Sequence, residues 1–154
     1  SEANMEYMCK LIGIQAISFD KMNQLRHVKY LQNKEHALAL MKEHAKILKP
    51  KFDMVVSTLE REIAPLGIAS WHKPKGGYFV SVNTAPGLAK RTLALAKEAG
   101  VVMTSAGATY PYGHDPLDSN IRVAPSLPPV EELEQAMAVF CCCLKLAALE
   151  KSKK

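Results

Sequence analysis

Apolar residues recur at three- and four-residue steps through the middle of the chain: Leu38, Met41, Ala45, Leu48, Phe52, Val55, Leu59 and Ile63. That spacing lines one face of a helix. Asn33 stands where an N-cap belongs, and Glu35 falls in the first turn, where a carboxylate meets the positive end of the helix dipole. Pro50 interrupts the run and predicts a kink or a brief break. As one helix, residues 34–63 would be roughly 45 Å long. That exceeds the width of a small domain, so the helix is expected to bridge two bodies. Pro65, Leu66 and Gly67 end it.

Ahead of this helix the pattern is mixed. Met5, Met8, Leu11 and Ile12 keep helical spacing until Gly13, which is expected to break it. Residues 14–19 are short and apolar, open to strand or helix, and residues 20–30 carry a basic, amide-rich face. Beyond the long helix, two strands are expected at residues 68–71 and 78–82, joined by His72-Lys73-Pro74-Lys75-Gly76-Gly77. A helix over 88–99 follows, closed by Gly100, and then a third strand at 101–104. A loop of small and turn residues covers 105–120, a fourth strand 121–124, and Pro128-Pro129 with Glu131 and Glu132 opens a last helix. Its apolar stripe is Val130, Leu133, Met137, Phe140, Leu144 and Ala148. The order predicts an α+β fold: a short sheet of about four strands covered by helices and entered by a long kinked helix.

Composition agrees with a globular domain. The 154 residues are 48% apolar and 23% charged, and the longest uncharged apolar run, 136–144, is far short of the roughly 20 residues a membrane span needs. No basic-apolar-small leader opens the chain, so neither a signal peptide nor a membrane is expected. The net charge of +5 is spread along the chain, which argues against direct contact with nucleic acid. Lys34, Lys42, Lys46, Lys49 and Lys51 are expected on a solvated helix face. Cys141, Cys142 and Cys143 are consecutive, so on a helix they point roughly 100° apart and cannot share a metal. They read as small apolar residues of a reducing cytoplasm.

Most candidate motifs have a plainer reading. Ser18-x-x-Lys21 matches a serine–lysine signature, but no Ser-Asp-Asn or Lys-Thr-Gly follows. His36 and His44 lack a third metal ligand. His114 and Asp115 are adjacent and rarely would face each other. Trp71, among His72, Lys73 and Lys75, reads as a half-buried hairpin residue before a base-stacking one. Two segments ask for more. Gly76-Gly77 before Tyr78-Phe79-Val80 suggests backbone passing close to another group. Arg122, flanked by Ile121, Val123 and Ala124, asks for a planar anion or a structural salt bridge, since an unpaired buried charge is costly.

Four stretches then resemble one family in its own order. They are Lys75-Gly76-Gly77-Tyr78-Phe79-Val80-Ser81, Leu95-Ala96-Lys97-Glu98-Ala99-Gly100-Val101, Ser105-Ala106-Gly107-Ala108-Thr109-Tyr110, and Asn120-Ile121-Arg122-Val123-Ala124-Pro125-Ser126. Together they resemble the C-terminal part of class I/II aminotransferases, pyridoxal-phosphate enzymes of fold type I. The nearest branch is the one holding certain bacterial aspartate aminotransferases and aminotransferase-like regulators. Ser1-Glu2-Ala3-Asn4 and Asn23-Gln24-Leu25-Arg26-His27-Val28 resemble the stretch after the cofactor lysine in that branch. Ala106-Gly107-Ala108-Thr109-Tyr110 stands where Pro-Gly-x-x-Phe is commoner, and suits the branch.

The resemblance implies residues 1–32 as the end of a large cofactor domain and 33–154 as the small C-terminal domain. It implies transfer of an amino group between an amino acid, aspartate among the candidates, and a 2-oxo acid. Arg122 would hold the substrate's α-carboxylate, Gly76, Gly77 and Tyr78 would shape the wall near it, and the loop to Tyr110 would help close the site. The family's cofactor lysine and other pyridoxal phosphate ligands lie upstream, so no catalytic, cofactor-binding or metal-binding residue is expected within these 154, and the isolated chain is expected to be inactive. The parent would be a homodimer acting on small-molecule amino and oxo acids. The alternative is the ligand-sensing domain of a transcription regulator.

Overall fold

A computed structural model describes residues 1–16 and 20–153. Two compact units, Ser1–His44 and Ala45–Lys154, divide the chain inside its longest helix. The first unit holds α1 (Glu2–Gln15), α2 (Lys21–Leu31) and the start of α3 (Lys34–Glu62). Helix α1 runs through Gly13 rather than breaking there. An isolated glycine weakens a helix by about 1 kcal/mol and does not stop it without a turn residue or proline beside it. The basic segment after residue 20 is α2, capped by the Asp20 carboxylate, which accepts the Asn23 N–H at 2.9 Å. Ile17, Ser18 and Phe19 lie outside the described residues, so the Ser18–Lys21 pairing does too.

Asn33 caps α3 as expected, its Oδ1 accepting the His36 N–H at 2.9 Å. The helix continues through Pro50 without a break. In the second unit, Val55 and Leu59 from its C-terminal half, and Ile63 just past its end, reach the core.

Three strands, β1 (Ala69–Trp71), β2 (Val80–Thr84) and β3 (Asn120–Val123), form an antiparallel sheet in the order β1-β2-β3. The register pairs Trp71 with Val82, Ser81 with Arg122 and Val82 with Ile121. Alternation sends Val80, Val82, Ile121 and Val123 to one face, where α4 (Ala89–Glu98) and α5 (Val130–Ser152) complete the core through Leu88, Met137, Phe140 and Leu144. Arg91 binds both carboxylate oxygens of Glu150, at 2.7 and 2.8 Å, and so ties α4 to α5. The α+β class is therefore as read, with three strands in place of about four.

The missing strand is residues 101–104. Gly100 takes φ +90° and ends α4, and the Val101 N–H turns back to the Ala96 carbonyl at 2.8 Å. That bond belongs to a helix-closing turn. The segment then meets Ala124, Leu133 and Phe140 by side chains around a cavity of about 200 Å³, with no ladder to β3.

Candidate functional site

The opposite face of the sheet is polar. Ser81 and Asn83 of β2 stand beside Asn120 and Arg122 of β3. Arg122 is half-buried, its guanidinium carbon 4.4 Å from the centre of the Phe79 ring. A cation on that face is favoured by the ring's quadrupole, and the flat contact fixes the guanidinium plane. Its Nε is buried and has no hydrogen-bond partner, and among the described residues no carboxylate pairs with it. Of the two sequence readings, the salt bridge has no second member here. The planar anion has a donor without a partner at Nε, whereas the 200 Å³ cavity that Arg122 borders lies among the apolar Leu133, Met137 and Phe140.

The loop leading to β3 is tightly built. Gly107, at φ +82°, lies so near the Gly113 carbonyl that a Cβ would come within 2.3 Å of its oxygen. Between them, Tyr110 is 36% exposed, and Tyr112 is fully exposed at φ +58°. Asp115 is buried (8% exposed). Its carboxylate accepts backbone N–H groups from Ser119 and Asn120 at 2.7 and 2.8 Å and from Leu117 at 3.0 Å. The Asn120 and Ser119 bonds, chiefly, hold its pKa below the ordinary aspartate value. Those bonds occupy the carboxylate, while His114 is exposed, so the two do not form a proton-transfer pair.

Gly76 and Gly77 fall in the β1–β2 connection, and Tyr78 is exposed beside them. The close backbone approach expected at Gly76-Gly77 is not found: a Cβ on either meets nothing within 4 Å. What requires glycine at 77 is φ +90°. The close approach falls at Gly107, which sequence reading passed over. A Gly-x5-Gly spacing inside a turn-rich loop was the available signal. Trp71 packs against the core, and His36 and His44 are exposed on α3.

No group of three His, Cys, Asp or Glu able to hold a metal occurs among the described residues. Cys141 and Cys143 face inward while Cys142 is exposed, and all are free thiols. Burial pushes the Cys141 thiol up to about 11. It borders a separate cavity of about 560 Å³ between α3 and α5, crossed by a 2.8 Å bond from Lys145 to Glu62. That bond lowers the Glu62 pKa and raises that of Lys145. Among the described residues no lysine is buried, and the half-buried pair are engaged, Lys51 with the Ser126 carbonyl and Lys145 with Glu62. These residues offer no free sheltered amine to a carbonyl cofactor.

A helix-covered three-stranded sheet with a partnerless arginine Nε on its polar face defines an α+β domain, and comparison with known proteins places it. The model of the aspartate amino-transferase family matches residues 1–154, and the chain belongs to that family. It is similar to an aspartate aminotransferase of Corynebacterium glutamicum, 46% identical over 150 residues, 97% of this chain and 35% of that protein. The solved aspartate transaminase of that organism superposes with a TM-score of 0.82, over 96% of this chain and 35% of that one, at 46% identity. A provisionally assigned aminotransferase of Corynebacterium diphtheriae gives 0.81 at 44% identity, over 97% of this chain and 37% of that one. The chain thus spans about a third of the length of these relatives.

Proposed function

We propose that residues 33–154 are the small C-terminal domain of a pyridoxal-phosphate-dependent aminotransferase and residues 1–32 the end of its large domain. The full protein moves an amino group from an amino acid to a 2-oxo acid. Aspartate is the first substrate to try, given the name of the C. glutamicum relative. Every such substrate shares an α-carboxylate, and Arg122 binds it. The supporting observation is the buried, partnerless Nε of Arg122 on the polar face of the sheet. A guanidinium offers two parallel N–H donors to one carboxylate, which orients the substrate as well as holding it. Tyr78, with Gly76 and Gly77, walls the approach, and the loop carrying Tyr110 covers it.

Pyridoxal phosphate, when bound, supplies the electron sink that amino transfer needs. In this reading the rest of the protein holds it. Helices α1 and α2 support that division, because neither buries a residue and both leave apolar side chains such as Met8, Ile14, Leu25 and Val28 exposed. They pack in the full homodimer, in a cytoplasm whose reducing conditions keep the four cysteines as thiols. The relatives described above are named as aminotransferases, and no observation favours the regulator.

The test is amino transfer by the full-length protein supplied with pyridoxal phosphate, aspartate and a 2-oxo acid, followed by appearance of the new amino acid. Turnover is expected. Failure with aspartate and with a panel of other amino acids would overturn the reading.

A further inference from the structure

The residues around Asp115 form a junction between the loop of Tyr110 and the strand of Arg122. One carboxylate gathers three backbone N–H groups from the five residues that follow it, and the Ser119 hydroxyl at 3.5 Å. The same turn is held from the other side. The Ser119 carbonyl accepts the Thr84 N–H at 2.8 Å and the Thr84 hydroxyl at 3.0 Å, joining the turn to β2. The Leu117 and Asp118 carbonyls accept from Gly87 and Ala89 at 2.8 and 3.0 Å, and the Asp118 side chain caps α4 through the Lys90 N–H. Asp118 is kept at φ +47° by these bonds, a conformation non-glycine residues seldom adopt.

Asn120, whose N–H Asp115 holds, carries the order into the sheet. Its Nδ2 donates to Ser81 and Asn83 at 3.0 and 2.7 Å, and its Oδ1 accepts the Thr109 hydroxyl at 2.7 Å. Thr109 precedes Tyr110, and Arg122 lies two residues along β3, on the same face as Asn120. One anchored backbone therefore sets both the loop of Tyr110 and the strand that presents the guanidinium.

We propose that Asp115 is a positioning residue for substrate binding: its buried carboxylate fixes the start of β3 so that Arg122 and the Tyr110 loop address the same α-carboxylate. This rests on the reading of Arg122 as the carboxylate anchor. Asp115→Asn keeps the shape but replaces one acceptor oxygen with a donor, leaving either Leu117 or the Ser119–Asn120 pair without an acceptor. The guanidinium then loses its preset aim, while the atoms that react are untouched.

The experiment measures kcat and KM for aspartate and for a 2-oxo acid in the full-length protein. Its variants are Asp115→Asn, Thr109→Val, Asp118→Asn and Arg122→Lys. Asp115→Asn is expected to raise KM for both substrates about tenfold, a fraction of the hundredfold a 1 Å misplacement can cost, with kcat within threefold and cofactor absorbance unchanged. Thr109→Val, which removes only the loop's hold on Asn120, is expected to raise KM about threefold, and it decides the matter if Asp115→Asn does not fold. Asp118→Asn keeps the Oδ1 acceptor that caps α4 and is expected to leave KM unmoved, as a control for removing a charge from the same turn. If Arg122→Lys raises KM while Asp115→Asn and Thr109→Val leave it within a factor of 1.5 (roughly the scatter around a negligible free-energy change), the positioning role is wrong and the anchor stands. If Arg122→Lys also leaves KM unmoved, the anchor falls and this proposal with it.

Discussion

Replacing Gly107 with alanine probes the loop at its tightest point. The new Cβ would lie 2.3 Å from the Gly113 carbonyl oxygen and 3.0 Å from its carbon. Both are backbone atoms, so no side chain can swing aside and one segment must move. Two penalties add. A non-glycine residue at φ +82° costs roughly 1–2 kcal/mol, and overpacking of this kind costs roughly 1–3 kcal/mol. Gly113→Ala is the natural control, because its φ is +69° and a Cβ there meets nothing within 4 Å. It should show the conformational penalty alone. For a domain of this size about 1 kcal/mol moves Tm by roughly 2–4 °C, so Gly107→Ala should lower Tm by about 4–20 °C and Gly113→Ala by about 2–8 °C. Calorimetry on the two variants and the parent chain, at one concentration and pH, gives the comparison. Equal losses would show that the close approach adds nothing and refute the packing argument for the loop.

Two further outcomes are expected. Alkylation at mildly basic pH, read by peptide mass mapping, should modify the exposed Cys9 and Cys142 quickly and Cys141 slowly, since its thiol is pushed up to about 11 and the thiolate is the nucleophile; rapid labelling of Cys141 would contradict its burial. Asp115 has its pKa lowered in the folded chain, so its stabilisation is complete above the ordinary aspartate range and is lost as pH falls through the lowered value. Acid titration of stability should therefore be shallower in Asp115→Asn than in the parent, and identical slopes would refute the carboxylate's charged role.

Elements whose signals are local were legible in the chain. The Asn33 cap, the Val55–Leu59–Ile63 end of the apolar stripe and the left-handed Gly100 each depend on a few neighbouring residues, whereas Leu38 and Met41 at the start of the stripe are exposed. Residues 101–104 were misread because Val-Val-Met-Thr has strand-like composition, whereas pairing depends on a free partner edge and on an N–H not already closing a helix. Arg122 stood out as a charge among apolar neighbours. Asp115 did not: its role comes from N–H groups that converge only once the turn is formed, and its adjacency to His114 drew attention to proton transfer. Gly76-Gly77 drew attention by being paired, yet only φ at Gly77 needs glycine, while the steric demand is at the isolated Gly107.

The central claim is that Arg122 binds the carboxylate common to all substrates, and Arg122→Lys in the full-length protein tests it most directly. Lysine keeps the charge and loses the two-point fit. Disturbing one partner of a desolvated, hydrogen-bonded charge pair costs roughly 2–5 kcal/mol, which at about 1.4 kcal/mol per decade is around 30-fold to several-thousand-fold. The ratio kcat/KM should fall by about 30-fold or more for every amino and oxo acid alike, with the cofactor absorbance and the melting temperature of the parent. A ratio within a few-fold of the parent, or a lowered melting temperature with normal kinetics, would contradict the account.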